Sequence, residues 1–251
     1  MIELASLAGR HAVALMVATL VVAECIAYGA FCIGRARVLT FDTGARVGVA
    51  VIVLAGAVFV AITYALLSNP GLPRFDLAFA FDLGAAVPQG AKRFFATATH
   101  LGDPWLLAVC CTAGVLALLS KRHVLLACTL AAASGGNGLL NMTLKHMIRR
   151  ARPEYDTALA SVHSWSFPSG HTAGSLATYG AIAYVLVRTL PAQWRPPVVL
   201  GAVALVGMIA WSRLMIGVHF ASDVAAGAMS STVWLTACVL VAEWLRRRAA
   251  R

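Results

Sequence analysis

The chain is 251 residues long, 60% hydrophobic and only 12% charged, where an ordinary soluble domain carries roughly 25% charged residues. That deficit excludes a soluble globular protein, and apolar blocks about long enough to cross ~30 Å of hydrocarbon as helix indicate an all-α, polytopic transmembrane bundle. The net charge of +10 does not point to nucleic acid, because membrane proteins collect Lys and Arg in their cytoplasmic loops.

Apolar blocks run at about 12–33, 47–67, 101–119, 124–144, 172–190, 197–217 and 224–243. Before the first stand only Arg10 and Glu3, and the block exceeds a signal-peptide core, so it reads as a retained helix. Glu24 lies in mid-span there, where a carboxylate is expensive. Residues 1–46 thus form an extra N-terminal span with its cytoplasmic loop, and 47–251 a six-span unit, about seven spans in total. Cys25, Cys32, Cys110, Cys111, Cys128 and Cys238 all sit inside apolar blocks without metal-ligand spacing and read as small packing residues. Asn137 and Asn141, four apart in the fourth block, suit hydrogen bonding between helices.

Arg35, Arg37, Arg46, Lys121, Arg122, Arg188, Arg195, Arg246, Arg247, Arg248 and Arg251 follow alternate blocks. Placing them inside puts the N-terminus outside and the C-terminus in the cytoplasm. Two segments then face outward, 68–103 and 145–171. The first, with Arg74-Phe75-Asp76 and Lys92-Arg93-Phe94-Phe95, fits an interfacial helix or a solvated loop equally well. The second gathers Lys145, Arg149, Arg150 and Arg152 on the face where basic residues should be scarce, and positive charge there asks for an anion.

Three clusters carry the chemistry. In Lys145 to Pro153, KHMIRRARP, the two motif cations are seven apart; on a helix continued to Pro153 they differ by about 20° in direction and can aim at one site. Arg152 offers a planar fork and Lys145 a point charge, a pair suited to phosphate, although juxtamembrane cations also meet lipid headgroups. Next, Phe167-Pro168-Ser169-Gly170-His171 opens the fifth block, where an N-capping Ser169 and the bare N–H of Gly170 make a phosphate cradle at a helix N-terminus, with His171 beside the anion. In the third, Ser212 to Asp223, SRLMIGVHFASD, His219 and Asp223 are four apart. If helix continues through them, the carboxylate orients the imidazole as a nucleophile. Arg213, His219 and Asp223 beside membrane spans favour a functional reading, and the seven-span topology brings all three clusters to the same outer side.

Other residues are not assigned to the site. His146, Arg149 and Arg150 suit headgroup contact or solvation, His100 and His163 have no partner spacing, and Trp105 and Trp165 suit the interfacial belt. Asp76, Asp82, Asp103, Glu154 and Asp156 lack metal-site spacing.

KxxxxxxRP at Lys145 to Pro153, PSGH at Pro168 to His171 and SRxxxxxHxxxD at Ser212 to Asp223 resemble the three-part signature of the type 2 phosphatidic acid phosphatase family of lipid phosphate phosphatases. The similarity covers roughly residues 47–245 and leaves the first block outside a six-span family core. It implies that His219, held by Asp223, attacks phosphorus and becomes a phosphohistidine. His171 protonates the leaving group and then activates water, while Lys145, Arg152, Ser169, Gly170 and Arg213 bind the phosphoryl oxygens. No metal or other cofactor is implied.

The expected activity is metal-independent hydrolysis of a lipid phosphomonoester or pyrophosphate at the periplasmic face of a bacterial inner membrane. Candidate substrates are a polyprenyl pyrophosphate such as undecaprenyl pyrophosphate, phosphatidylglycerol phosphate, phosphatidic acid or a lipid A phosphate. A lipid phosphotransferase would use the same histidines. A vanadate haloperoxidase would share the pocket but not the spans, and an anion or lipid transporter would leave the two histidines unexplained. The sequence carries no signal for oligomeric state.

Overall fold

A computed structural model describes residues 2–36, 41–153 and 164–250; Arg37, Glu154, Asp156, His163 and Arg251 lie outside them. The described residues are helical without strands: α1 (Ile2–Arg10), α2 (Ala12–Ala36), α3 (Phe41–Ser68), α4 (Gly71–Ala86), α5 (Gln89–Ala98), α6 (Pro104–Ser120), α7 (Val124–Ile148), α8 (Gly170–Thr189), α9 (Arg195–Met215) and α10 (Ala221–Ala249). Each of the seven apolar blocks corresponds to one long helix. Of these, α2, α3, α7, α9 and α10 are each long and apolar enough to cross a membrane, and α5, its following turn and α6 together make a sixth candidate bent by 41°.

The fifth block gives α8, which falls short of that apolarity for a reason visible in its packing. It lies against α7, α9 and α10, and its residues Thr172, Ser175 and Thr178 are buried alongside Ala173, Ala177 and Ala181. Small residues four apart allow neighbouring helices to approach closely, and hydroxyls find partners across the interface. Ser134 and Thr178 hydrogen-bond at 2.7 Å, and Ser231 Oγ donates to Asn137 Oδ1 at 2.8 Å and lies 2.9 Å from Ala173 O. Asn137 therefore joins helices as its position suggested. On the periphery, α2 reaches α9 through Trp211 Nε1, which donates to Thr19 Oγ1 at 3.0 Å. The half-buried Glu24 has one carboxylate oxygen without a partner among the described residues.

Segment 68–103 is helical, so of its two sequence readings the loop is set aside. Helix α4 buries Asp76, Phe79, Ala80 and Leu83, and α1 lies directly on it: a Cβ at Gly9 would come within 2.7 Å of Phe79 O. Ala5, Phe79, Leu83 and Phe95 pack with Met215, Ile216 and Val218 in one apolar cluster. That cluster braces the chain just before His219.

One close contact near the site is between α10 and the segment opening α8. A Cβ at Gly227 would stand 2.7 Å from Ser169 O and 3.3 Å from Ser169 N, while Ser169 N donates to Asp223 O at 2.9 Å. Because the obstructing atoms are backbone, the strain cannot be relieved by a rotamer change. Gly227→Ala is expected to cost about 1–3 kcal/mol, read as a lowered melting temperature in detergent; an unchanged Tm would contradict this packing.

Candidate active site

The third cluster is assembled by a turn. Helix α9 ends at Met215, Gly217 takes φ 71°, a left-handed conformation that favours glycine, and α10 starts at Ala221. His219 and Asp223 therefore do not share a continuous helix, contrary to the spacing argument. Instead Asp223 occupies the first turn of α10 and reaches back: its Oδ2 accepts from Phe220 N at 2.9 Å and from His219 Nδ1 at 3.3 Å. Ser166 also donates to Oδ2. On the far side of the ring, Arg152 Nη1 lies 3.0 Å from His219 Nε2. Since guanidinium can only donate, Nε2 carries the lone pair and Nδ1 the proton. Burial pushes the His219 pKa down to about 3, against the upward pull of Asp223, so the ring is neutral and its lone pair available at neutral pH.

The first cluster departs from the helical extrapolation as well. Arg149 is left-handed (φ 50°) and ends α7, its N–H donating to Lys145 O; Pro153 is not the stop, and Arg152 is not on the helix. Lys145, in the last turn, donates to Trp165 O. Arg152 folds back from the loop, donating to Ser164 O and Val218 O at 2.7 Å each. The two cations converge through a chain reversal rather than a helical register.

In the second cluster Ser169 stands at the N-cap position of α8 without a capping side-chain bond; its hydroxyl accepts from Thr172 Oγ1 at 3.1 Å. Gly170 is the first residue of the helix, and a Cβ there would meet Asn141 Oδ1 at 3.3 Å and Lys145 Cε at 3.7 Å. His171 Nε2 donates to Asp103 Oδ1 at 2.9 Å.

Arg213 is buried in the last turn of α9, donating to Thr99 Oγ1 at 2.7 Å, with its Nε lacking a partner among the described residues. All eight residues singled out from the sequence thus gather at one end of the bundle. Lys145, Arg152, Gly170, His171 and Arg213 line a cavity of about 1340 Å³, with His219 buried behind Arg152. From this basic end the cavity continues between α6, α7 and α8 past Leu107, Cys111 and Val115, which follow one another four apart along one face of α6.

Three participants escaped the sequence reading. Arg150 does not meet solvent: it donates to Asp223 Oδ1 at 2.7 Å, to Asp76 Oδ2 at 2.8 Å and to Ser222 Oγ at 2.7 Å, and stacks over Phe220 at 4.1 Å. Asp76 is fully buried on α4, and burial raises its carboxyl above the usual range despite Ser222 and Arg150. Asp103, with His100 Nδ1 donating to its Oδ2 at 2.7 Å, faces His171. No spacing could reveal the partners of Arg150 and His171, which are 68 to 74 residues away; His100, by contrast, does have a partner at helical spacing, Asp103 three residues on, contrary to its sequence reading. His146 and Arg149, by contrast, stay exposed and hydrogen-bond the end of α7.

Charge compensation separates the cations. Arg150 is matched by two carboxylates, whereas among the described residues Lys145, Arg152 and Arg213 have no carboxylate in ion-pair contact. Such half-buried or buried charge is unfavourable unless an anion joins it.

Fold and site together define a multi-pass helical membrane protein with a histidine–aspartate pair beside an uncompensated basic cluster. The PAP2 superfamily model matches residues 105–247, more than half of the chain, and the chain belongs to that family. It is 39% identical over 95 residues to phosphatidylglycerophosphatase B of Bacillus subtilis, an alignment covering 37% of this chain and 46% of that protein. It is 28% identical over 186 residues to decaprenylphosphoryl-5-phosphoribose phosphatase of Mycobacterium tuberculosis, covering 70% and 85%. Among solved structures, the crystal structure of a transmembrane PAP2-type phosphatidylglycerolphosphate phosphatase from Bacillus subtilis superposes with a TM-score of 0.68 at 25% identity, covering 78% of this chain and 96% of that one.

Two outcomes follow from the electrostatics. The ring nitrogens of His219, assigned by their loss in His219→Gln, should show no titration in NMR spectra between about pH 8 and pH 5; a midpoint near the ordinary value of about 6.5 would contradict its burial. Arg150→Met strands two buried carboxylates and is expected to destabilise by about 3–5 kcal/mol, with part of the lost Tm regained when Asp76→Asn is added.

Proposed function

We propose that this protein is a metal-independent lipid phosphatase working through a phosphohistidine on His219. The observation that carries the reading is the contact of Arg152 Nη1 with His219 Nε2 at 3.0 Å, a phosphate-binding group touching the lone pair of a buried, carboxylate-oriented imidazole. When Nε2 attacks phosphorus, Arg152, Lys145, Arg213, the N–H of Gly170 and the Ser169 hydroxyl bind the phosphoryl oxygens and stabilise the charge that develops on them. Asp223 balances the positive charge of the phosphorylated imidazole. His171 gives a proton to the leaving oxygen, then takes one from the water that releases phosphate.

Cavity shape supports a lipid substrate. Its basic end accepts a headgroup phosphate, and the apolar stretch from Leu107 to Val115, about 12 Å along the helix at 1.5 Å per residue, accommodates an alkyl or prenyl chain. The phosphorylated lipids in the names of the relatives fall within this class. On this reading a phosphomonoester or pyrophosphate lipid, among them phosphatidylglycerol phosphate, phosphatidic acid, lipid A phosphate and polyprenyl pyrophosphates, is drawn in from the membrane, the site faces the periplasm and the C-terminus the cytoplasm of a bacterial inner membrane. Residues 47–251 form the six-span catalytic unit and 1–46 an accessory span. Transfer of the phosphoryl group to a second lipid in place of water requires no change in these residues.

Purified protein with EDTA is expected to release inorganic phosphate from at least one of these lipids. His219→Ala should lose activity about a thousandfold or more and His171→Ala about 10²–10⁴-fold. Equal phosphate release by wild type and His219→Ala would remove the mechanism, and a lipid gaining phosphate in place of free phosphate would identify transfer.

A further inference from the structure

Asp103 sits at the 41° break between the turn after α5 and the start of α6, two residues ahead of the stretch that the family model matches. It stands at the N-cap position of α6, directly before Pro104, where an aspartate ordinarily bonds the first backbone N–H groups of its own helix. Here it makes no such bond. Its carboxylate turns away instead, Oδ1 accepting from His171 Nε2 at 2.9 Å and Oδ2 from His100 Nδ1 at 2.7 Å and Trp105 Nε1 at 3.3 Å. The close approach depends on Gly102, where a Cβ would press on His171 Cδ2 at 3.2 Å and on Ile209 Cγ2 at 2.6 Å. His171 is thereby held as His219 is: one ring nitrogen donates to a carboxylate that neighbouring donors fix in place, and the other is left to the reaction.

We propose that Asp103 is the positioning residue of His171, fixing its tautomer with Nδ1 as the working nitrogen and stabilising the imidazolium required to protonate the leaving group. The inference rests on the phosphatase reading above. In the forward step the Nε2 lone pair of His219 forms a bond to phosphorus and the phosphorus–oxygen bond to the lipid breaks. The departing electron pair takes the Nδ1 proton of His171, which becomes neutral with its remaining proton on Nε2, still donated to Asp103. In the return step water attacks phosphorus and gives a proton to Nδ1, and the electron pair of the nitrogen–phosphorus bond returns to His219. An imidazolium beside Arg213 is disfavoured by like charge, and the Asp103 carboxylate offsets that repulsion in both steps.

A leaving group that needs no proton makes the test specific. An alkoxide, conjugate to an alcohol of pKa about 16, depends on a general acid, whereas p-nitrophenolate, of pKa about 7, leaves without one. Dioctanoyl phosphatidic acid and p-nitrophenyl phosphate are compared by kcat/KM, which reports events up to departure of the leaving group and excludes the later hydrolysis of phosphohistidine. Asp103→Asn is expected to lower the value for the alkyl ester by about 10–100-fold and to leave that for the aryl ester within about threefold. The alkyl-ester loss should not deepen when Asp103→Asn is added to His171→Asn. Equal losses on both esters would make Asp103 a merely structural residue, and no loss on either would remove it from the reaction; both outcomes overturn the proposal. Should Asp103→Asn not fold, Asp103→Ala is read in the same way. Failure of the wild type to release phosphate from either ester would instead overturn the phosphatase reading itself.

Discussion

Buried charge must be compensated, and the way this chain distributes its compensation organises the whole end of the bundle that holds the site. Arg150 sits between Asp76 on α4 and Asp223 on α10, 2.8 and 2.7 Å away, and its planar fork satisfies both carboxylates at once. Through that single guanidinium α4, the loop after α7 and the first turn of α10 are tied together. Asp223 is thereby held in place to serve His219. The remaining cations of the same region, Lys145, Arg152 and Arg213, have no ion-pair partner among the described residues, and this asymmetry is what a phosphoryl group would resolve.

Small residues make such a polar assembly feasible inside a membrane protein. Helix α8 approaches its neighbours through Ala173, Ala177 and Ala181, all fully buried, and α10 passes the backbone of Ser169 only because residue 227 has no Cβ. Hydroxyls and amides then find partners between helices, as Ser231 does with Asn137. The apolar cluster of α1, α4 and α5 against the end of α9 closes this end of the bundle around His219. Rigidity at this end and an apolar groove below it are complementary demands: the chemistry needs fixed donors, and a lipid chain needs room.

The helix boundaries show where physical reasoning from spacing went astray. Periodicity alone extended α7 to Pro153 and carried helix through His219, but Arg149 adopts a left-handed cap and Gly217 turns the chain. In both places a polar residue was needed closer to its partner than a straight helix would bring it. The contacts anticipated from the two spacings, Lys145 with Arg152 at one site and His219 with Asp223, nevertheless form, by a reversal and by a helix cap.

What the sequence by itself determined was the membrane class, the helical blocks and the eight residues of the three clusters, since apolar length and short-range residue order are local properties. It also marked Lys145, Arg152 and Arg213 as anion-seeking, because charge is conspicuous where so little is present. Tertiary structure alone decided that Arg150 is a structural cation and that Asp76 and Asp103 belong with the site. Their partners lie on helices distant in the chain, and whether an arginine is solvated, paired or left waiting depends on which carboxylates the fold delivers to it.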